Sequence, residues 1–195
     1  GITLARSLGS TPWMFPYICP LDHEFTTYSQ YREPRTGKYI PRTNKEILIE
    51  GGAEMVYNRY RDYYEGDPLI GTQDQVLAPP PVDSIYAIYG INLKTETFYF
   101  FKDNPSKKRI TDYCLDSKGS MNNFKCEGGI AYETKSTRQN LLKGQKRGGD
   151  GTVPYPSLSY CKKWKGAVNV KIAEIEGAEH REILKNKTFL QLVLE

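Results

Sequence analysis

A glycine-flanked carboxylate and a later histidine are the residues best suited to acid–base chemistry. Asp150 stands within Gly149-Asp150-Gly151-Thr152-Val153-Pro154, where the glycines allow a tight turn that fixes the direction of the carboxylate. His180 follows a predicted strand and precedes the last predicted helix. An Asp after one strand and a His after the next is the back half of a Ser-Asp-His triad. The pair therefore predicts ester chemistry, with Asp150 as the acid and His180 as the base.

Each of these residues alone has a simpler interpretation. An isolated Gly-Asp-Gly is typical of a turn between strands, and a loop histidine such as His180 is commonly a surface residue. The other histidine, His23, lies in a turn-rich stretch and is interpreted as surface or cap structure. The order of the pair along the chain is what favours the triad.

The nucleophile of such a triad stands on a G-x-S-x-G elbow, and this sequence contains none. Because the triad order places the serine first, we expect it upstream of Gly1, with the oxyanion hole. The chain is then one piece of a split hydrolase, bound to an N-terminal half that carries the nucleophile. Cys114 is the alternative nucleophile of a self-contained thiol hydrolase, which is disfavoured because Cys126 is a ready disulfide partner.

The elements that must position this pair are read from the hydrophobic pattern. Ser84–Tyr89 is apolar on both faces, as in a buried strand of a parallel sheet. Two buried strands cannot make a parallel sheet with both faces covered. Either the sheet is small and antiparallel, or an upstream polypeptide completes it. The other predicted strands are 95–101, an aromatic strand in a hairpin or ribbon, and the ranges 130–133 and 168–175. Helices are predicted at 53–64 and 182–194.

Composition excludes several classes of protein. The net charge is only +4 over 195 residues, and no nucleic-acid recognition motif accompanies the basic residues. No apolar run approaches the roughly 20 residues of a membrane-spanning helix. Four cysteines without C-x-x-C spacing and two histidines disfavour a zinc site, so we expect no metal or cofactor.

Two modification patterns favour a secreted or lumenal glycoprotein. Cys114 and Cys126 flank a Gly/Ser/Asn-rich loop, which predicts a local disulfide between them. Asn186-Lys187-Thr188 is an acceptor sequon, which predicts glycosylation at Asn186.

Four segments, in order along the chain, resemble the lecithin:cholesterol acyltransferase family. That family also contains lysosomal phospholipase A2 and the phospholipid:diacylglycerol acyltransferases. Gly149–Pro154 resembles the block that holds the family's catalytic acid, and Glu179-His180 resembles the block that holds its base. The other two are a Pro-Trp block and a strand ending in Tyr-Gly: 10–17 and 85–90.

The resemblance implies an α/β fold, the C-terminal half of an α/β-hydrolase whose sheet is completed by an upstream polypeptide. Residues 1–80 would be a cap-domain segment, and 81–195 part of the hydrolase core with a long excursion at 103–148. Ala87 stands where animal relatives carry a cysteine that pairs with the one matched by Cys161, so Cys161 is expected to be free or to pair elsewhere, for example with Cys19.

The implied reaction is attack of the upstream serine on a phospholipid ester, at a membrane or lipoprotein surface. His180 would take the serine proton and pass it to the leaving lysophospholipid, while Asp150 orients His180. The acyl group would go to water, as in a phospholipase, or to a lipid alcohol such as a sterol, as in an acyltransferase. The alternative is an inactive lipid-binding or interaction module, in which Asp150 is only a turn residue.

Overall fold

The computed structural model describes residues 29–42, 46, 49–50, 52–64, 78–105, 113–122, 124–137 and 147–194. These residues form strands β1 Ser29–Arg32, β2 Tyr39–Arg42, β3 Ser84–Ile91, β4 Thr95–Asp103, β5 Tyr113–Leu115, β6 Lys125–Glu127, β7 Ile130–Glu133 and β8 Asn169–Glu176. The helices are α1 Glu54–Tyr64, α2 Tyr155–Leu158 and α3 Lys187–Leu194, with 3₁₀ helices at Tyr160–Trp164 and Glu182–Lys185. The chain is therefore mixed α/β. None of its described helices is both long and apolar enough to cross a bilayer.

The chain divides into two compact units. Unit 1 takes its described residues from the ranges up to 78 and from 98–119 and 128–130, and unit 2 from 79–97, 120–127 and 131–194. Strand β4 contributes residues to both. Assignment of 1–80 to a cap and of 81–195 to a hydrolase core stays a prediction.

Unit 1 contains a mixed sheet. Strand β1 pairs antiparallel with β2 and parallel with β4, and β4 pairs antiparallel with β5. Phe98 and Phe100 of β4 are fully or almost fully buried. The prediction that this aromatic strand lies in a simple hairpin or ribbon is therefore incomplete, because its parallel partner β1 is distant in sequence.

The long excursion at 103–148 holds more regular structure than its polar composition indicates. Strand β7 has the predicted bounds, Ile130–Glu133, and β5 and β6 were not predicted. Both additional strands are three residues long, too short for an alternating pattern to stand out from the surrounding polar sequence.

Unit 2 contains the two parallel strands β3 and β8, paired from Ser84↔Asn169 to Ile91↔Glu176. A small antiparallel arrangement of these two strands is thus wrong. One face packs on α2 and the following 3₁₀ helix in a core that includes Tyr89, Tyr155 and Cys161. Tyr86 points to the other face and is 68% exposed, so the predicted burial of β3 on both faces is wrong for its first half.

The predicted closing helix, 182–194, is two pieces separated by Asn186. Its apolar residues Leu184, Leu190 and Val193 are exposed. None of the residues of α3 is buried, because no other layer of the described residues covers its apolar side.

Candidate active site

The segment from Gly148 to Tyr155, here called the acid loop, places the Asp150 carboxylate through its own backbone. Asp150 Oδ1 accepts the N–H of Thr152 at 3.1 Å and of Val153 at 2.8 Å. The Asp150 N–H donates to the Val153 carbonyl at 3.3 Å. This is the Asx-type turn expected of an Asp followed by a glycine, and it leaves Asp150 only 3% exposed.

The two glycines of the motif are required by this turn. A Cβ on Gly149 would stand 2.1 Å from the Val153 carbonyl oxygen, far inside van der Waals contact. Gly151 has φ +91°, a conformation that side chains with a Cβ rarely adopt. The sequence Gly-Asp-Gly therefore follows from the shape of the acid loop.

His180 reaches this loop from the segment that follows β8. The chain turns at Gly177, whose φ is +69°, and the Gly177 N–H donates to the Ile91 carbonyl at 2.9 Å. The His180 N–H then donates to the Asp150 carbonyl at 3.1 Å. His180 Nδ1 lies 2.8 Å from Asp150 Oδ2. The structure thus brings together the two residues singled out from the sequence.

The two carboxylate oxygens of Asp150 have different partners. Oδ1 of Asp150 fixes the turn, while Oδ2 engages the imidazole. With Asp150 ionised, Nδ1 of His180 carries the proton and donates it, which leaves Nε2 as the basic nitrogen. The His180 side chain is 43% exposed, so a reacting group can approach it.

Two buried polar side chains that sequence reasoning missed hold the acid loop. Thr95 Oγ1 accepts the N–H of Gly151 at 2.9 Å, and Glu133 accepts the N–H of Tyr155. Thr95 and Glu133 are both 0% exposed. The sequence carries no clear signal for Glu133, because in β7 it shares a face with the small Ala131 and not with the larger apolar Ile130 and Tyr132.

A second polar cluster anchors α2 beneath β8. Glu174 Oε1 accepts from Tyr155 Oη at 2.7 Å, Tyr89 Oη at 3.1 Å and Lys162 Nζ at 2.5 Å. Burial alone would raise the pKa of Glu174, but these hydrogen bonds outweigh it and the pKa is lowered. Burial and the neighbouring Glu174 raise the pKa of both tyrosines, which therefore stay protonated as donors.

The disulfide predicted between Cys114 and Cys126 is not formed, because both are free thiols. Cys114 lies on β5, opposite Lys102 of β4. Cys126 lies on β6, next to β7, where its sulfur accepts the N–H of Met121 at 3.3 Å. Spacing along the chain does not determine which strands become neighbours, and these two strands pair with different partners.

The remaining predicted residues have separate locations. Cys161 is buried and free, and burial raises its thiol pKa. Asn186 Oδ1 accepts the N–H groups of Thr188 and Phe189, so the sequon asparagine is the N-cap of α3. Cys19 and His23 lie outside the described residues. In the described ranges no three His, Cys, Asp or Glu side chains converge as metal ligands would.

Comparison with known proteins places the chain in a family. The family model for lecithin:cholesterol acyltransferase matches residues 21–187. Phospholipid–sterol O-acyltransferase of Arabidopsis thaliana is 31% identical over 132 residues, which are 62% of this chain and 18% of that protein. Lysosomal phospholipase A and acyltransferase of Mus musculus is 24% identical over 193 residues, 95% of this chain and 34% of that protein.

A third relative is also named as a sterol acyltransferase. Phosphatidylcholine-sterol acyltransferase of Gerbilliscus gambianus is 26% identical over 189 residues, 94% of this chain and 49% of that protein. The chain thus spans less than half the length of each of these three relatives. Since the family model covers most of the sequence, the chain belongs to the lecithin:cholesterol acyltransferase family.

Proposed function

We propose that the natural protein carrying this chain is a serine lipid acyltransferase or A-type phospholipase with an α/β-hydrolase fold. This chain contributes the acid Asp150 and the base His180. The observation that carries the proposal is the 2.8 Å approach of His180 Nδ1 to Asp150 Oδ2, made by a partly exposed imidazole and a buried carboxylate. Membership in the family supports the same reading.

The nucleophile in this proposal is a serine that these 195 residues do not provide, since they contain no G-x-S-x-G elbow. Nε2 of His180 removes the serine proton as the oxygen attacks the phospholipid ester carbonyl. Asp150 stabilises the resulting imidazolium and stays ionised. The imidazolium then protonates the leaving lysophospholipid, and an acyl-enzyme remains.

The second half of the reaction transfers the acyl group to an oxygen nucleophile. His180 Nε2 deprotonates water or a lipid alcohol, which attacks the acyl-enzyme and releases the serine. The names of the relatives cover both outcomes, phospholipase A in mouse and sterol acyl transfer in Arabidopsis. We propose a phospholipid as acyl donor, with water or a sterol-like alcohol as acceptor.

The proposed partners and location follow from the same comparison. The chain would act with the remainder of its own protein, which carries the serine, at a membrane or lipoprotein surface. A lumenal or secreted setting is supported by the lysosomal name of the mouse relative and by the sequon at Asn186.

The test is His180→Ala in the natural full-length protein, assayed on phospholipid vesicles with and without sterol. We expect kcat to fall by about 10³-fold or more while circular dichroism stays unchanged. His23→Ala is the matched control and should keep nearly full activity. Full activity in His180→Ala would overturn the proposal. Vesicle binding by the wild-type protein without hydrolysis or transfer would favour the inactive lipid-binding module instead.

A further inference from the structure

We propose that Thr95 and Glu133 are positioning residues that hold the acid loop from two sides, so that Asp150 meets His180. The inference rests on the proposed function, because it assigns a role in the same reaction. Both side chains are 0% exposed, yet each carries a polar group whose hydrogen bond ends on the acid loop. Neither residue belongs to the Gly149–Pro154 motif.

The Thr95 hydroxyl links the start of β4 to the peptide that follows Asp150. Oγ1 donates its proton to the Leu93 carbonyl at 3.0 Å and accepts the Gly151 N–H at 2.9 Å. Leu93 in turn donates its N–H to the Gly149 carbonyl at 2.9 Å. The peptide groups on both sides of Asp150 are thereby fixed to one short stretch of chain.

Glu133 holds the other end of the acid loop. Its carboxylate accepts the N–H of Tyr155, a residue that is 1% exposed. A Cβ added at Gly149 would stand 2.8 Å from Thr95 Oγ1 and 2.9 Å from Glu133 Oε1. The two polar side chains therefore converge on the residue that precedes Asp150.

This placement links the two residues to catalysis through Asp150 and not through substrate. Displacement of a catalytic group by about 1 Å can cost about 100-fold in rate. Removal of the Thr95 hydroxyl leaves the Gly151 N–H without this acceptor, so the peptide after Asp150 is held less firmly. The carboxylate would lose its alignment with Nδ1 of His180 although its own turn persists.

Thr97 provides a matched control on the same strand. It is 2% exposed, and its hydroxyl donates to the Thr95 carbonyl at 3.3 Å. Thr97→Val thus makes the same chemical change at an equally buried position without touching a hydrogen bond to the acid loop. Thr95→Ser keeps the hydroxyl and serves as the rescue variant.

The kinetic test measures kcat and KM of the natural full-length protein for Thr95→Val, Thr95→Ser and Thr97→Val, and combines Thr95→Val with Asp150→Asn. We expect Thr95→Val to lower kcat by about 10- to 100-fold with KM within about twofold. Thr95→Ser and Thr97→Val should stay within about threefold of wild type. In the Asp150→Asn background, Thr95→Val should change kcat by less than about twofold, because the two act through one group. An equal loss in both backgrounds would overturn the proposal and indicate a merely structural role.

A spectroscopic test separates this inference from the proposed function. In the natural full-length protein, the downfield proton on Nδ1 of His180 is assigned by NMR as the resonance that disappears in His180→Ala. We expect that resonance in wild type, Thr95→Ser and Glu133→Gln, which retains an acceptor oxygen, and its loss or upfield shift in Thr95→Val and Glu133→Leu. An unchanged resonance in a folded Thr95→Val protein would contradict the positioning role. Full activity of His180→Ala would instead refute the proposed function and leave the NMR result interpretable.

Discussion

Asp116 in unit 1 and Asp150 in unit 2 are both almost fully buried carboxylates, and their partners differ in kind. Asp116 Oδ2 accepts from Tyr39 Oη at 2.7 Å and lies 3.6 Å from an Arg32 guanidinium nitrogen. Its Oδ1 accepts the N–H of Lys118 and lies 3.5 Å from Lys102 Nζ. Among the described residues, the Asp150 carboxylate accepts from two backbone N–H groups and pairs with one imidazole, and none of these partners is an Arg or Lys side chain.

The difference teaches how a structural carboxylate is told from a candidate catalytic one. Arg32 and Lys102 pair with Asp116 as ions, so charge pairing holds this cluster together. Burial alone would raise the pKa of Asp116, but the hydrogen bonds from Tyr39 and Lys118 and the Lys102 charge lower it. The partner of Asp150 is instead an imidazole, the type of side chain that most often accepts and releases a proton in acid–base catalysis. Burial is common to both sites, and the partner decides the chemistry.

The largest loss of activity in this comparison is expected from Asp150→Asn. The amide oxygen can still accept from Thr152 and Val153, so the turn and the fold should persist. The imidazole loses the acceptor that selects its tautomer, and kcat should fall by about 10³- to 10⁴-fold. Steady-state hydrolysis of vesicle phospholipid by the natural protein measures this.

Asp116→Asn is the control for that experiment. Activity per folded molecule should stay close to wild type, because the polar partners described for Asp116 are Tyr39, Arg32, Lys102 and Lys118. A loss of kcat in Asp116→Asn as large as that in Asp150→Asn would remove the distinction between the two carboxylates.

The next effect in size is on stability at Asp116. Its replacement by Asn leaves Arg32 and Lys102 beside a neutral amide and removes hydrogen bonds to a charged acceptor. Such bonds contribute about 1.5–3 kcal/mol, and the free energy of unfolding should fall by that amount. Urea unfolding of the natural protein followed by tyrosine and tryptophan fluorescence would show it. A midpoint equal to that of wild type would mean that solvent already screens the cluster.

A smaller effect is expected at Glu174, on the fall in the free energy of unfolding at acidic pH. Its pKa is lower in the folded protein than in the unfolded chain, so the unfolded chain binds more protons between the two values. The stabilisation is complete above the ordinary pKa of a glutamate, 4.5, and is lost as the pH falls through the lower folded-state pKa. Glu174→Gln should therefore flatten the decline in unfolding midpoint as the pH falls below the ordinary pKa.

Glu176 on the same strand is the matched control for Glu174. Hydrogen bonds from Lys135 and Asn92 lower its pKa as well, but the Glu176 side chain is largely exposed. Solvent screens exposed pairs of this kind, so Glu176→Gln should flatten the decline in unfolding midpoint much less. Equal flattening by both variants would show that burial of Glu174 adds nothing.

The sequence located Asp150 and His180, because glycine requirements and the order of loops and strands are local properties. The catalytic roles of the two residues stay a prediction. Strand β7 was predicted near its observed position, because Ile130 and Tyr132 favour a strand within an otherwise polar, glycine-rich stretch. Family membership followed from segments that span the chain.

The features that were missed depend on partners far away in sequence. Glu133 lies on the face of β7 opposite the larger apolar residues Ile130 and Tyr132, so the sequence pattern does not show that its carboxylate is buried and meets the N–H of Tyr155. The disulfide failed for the same reason, because loop composition around Cys114 does not fix the neighbour of β5. Apolar spacing in the last helix indicates one amphipathic face, and it does not say whether a layer covers that face.

The smallest effect concerns Asn186, which repeats the local geometry of Asp150 without its chemistry. Each Oδ1 accepts the N–H groups two and three residues later, but Asn186 uses them to cap α3. Asn186→Asp keeps the cap and removes the sequon, whereas Asn186→Ala removes both. The Ala variant should lose about 1 kcal/mol of unfolding free energy, and the Asp variant should lose less because an aspartate also suits a helix N-terminus. Intact-mass measurement on protein from a secretory host should show a glycan on wild type alone. A loss of stability in Asn186→Asp as large as in Asn186→Ala would assign the stabilisation to the glycan. A wild-type mass without a glycan would show that the sequon is unused, and helix capping would then be the role of this side chain.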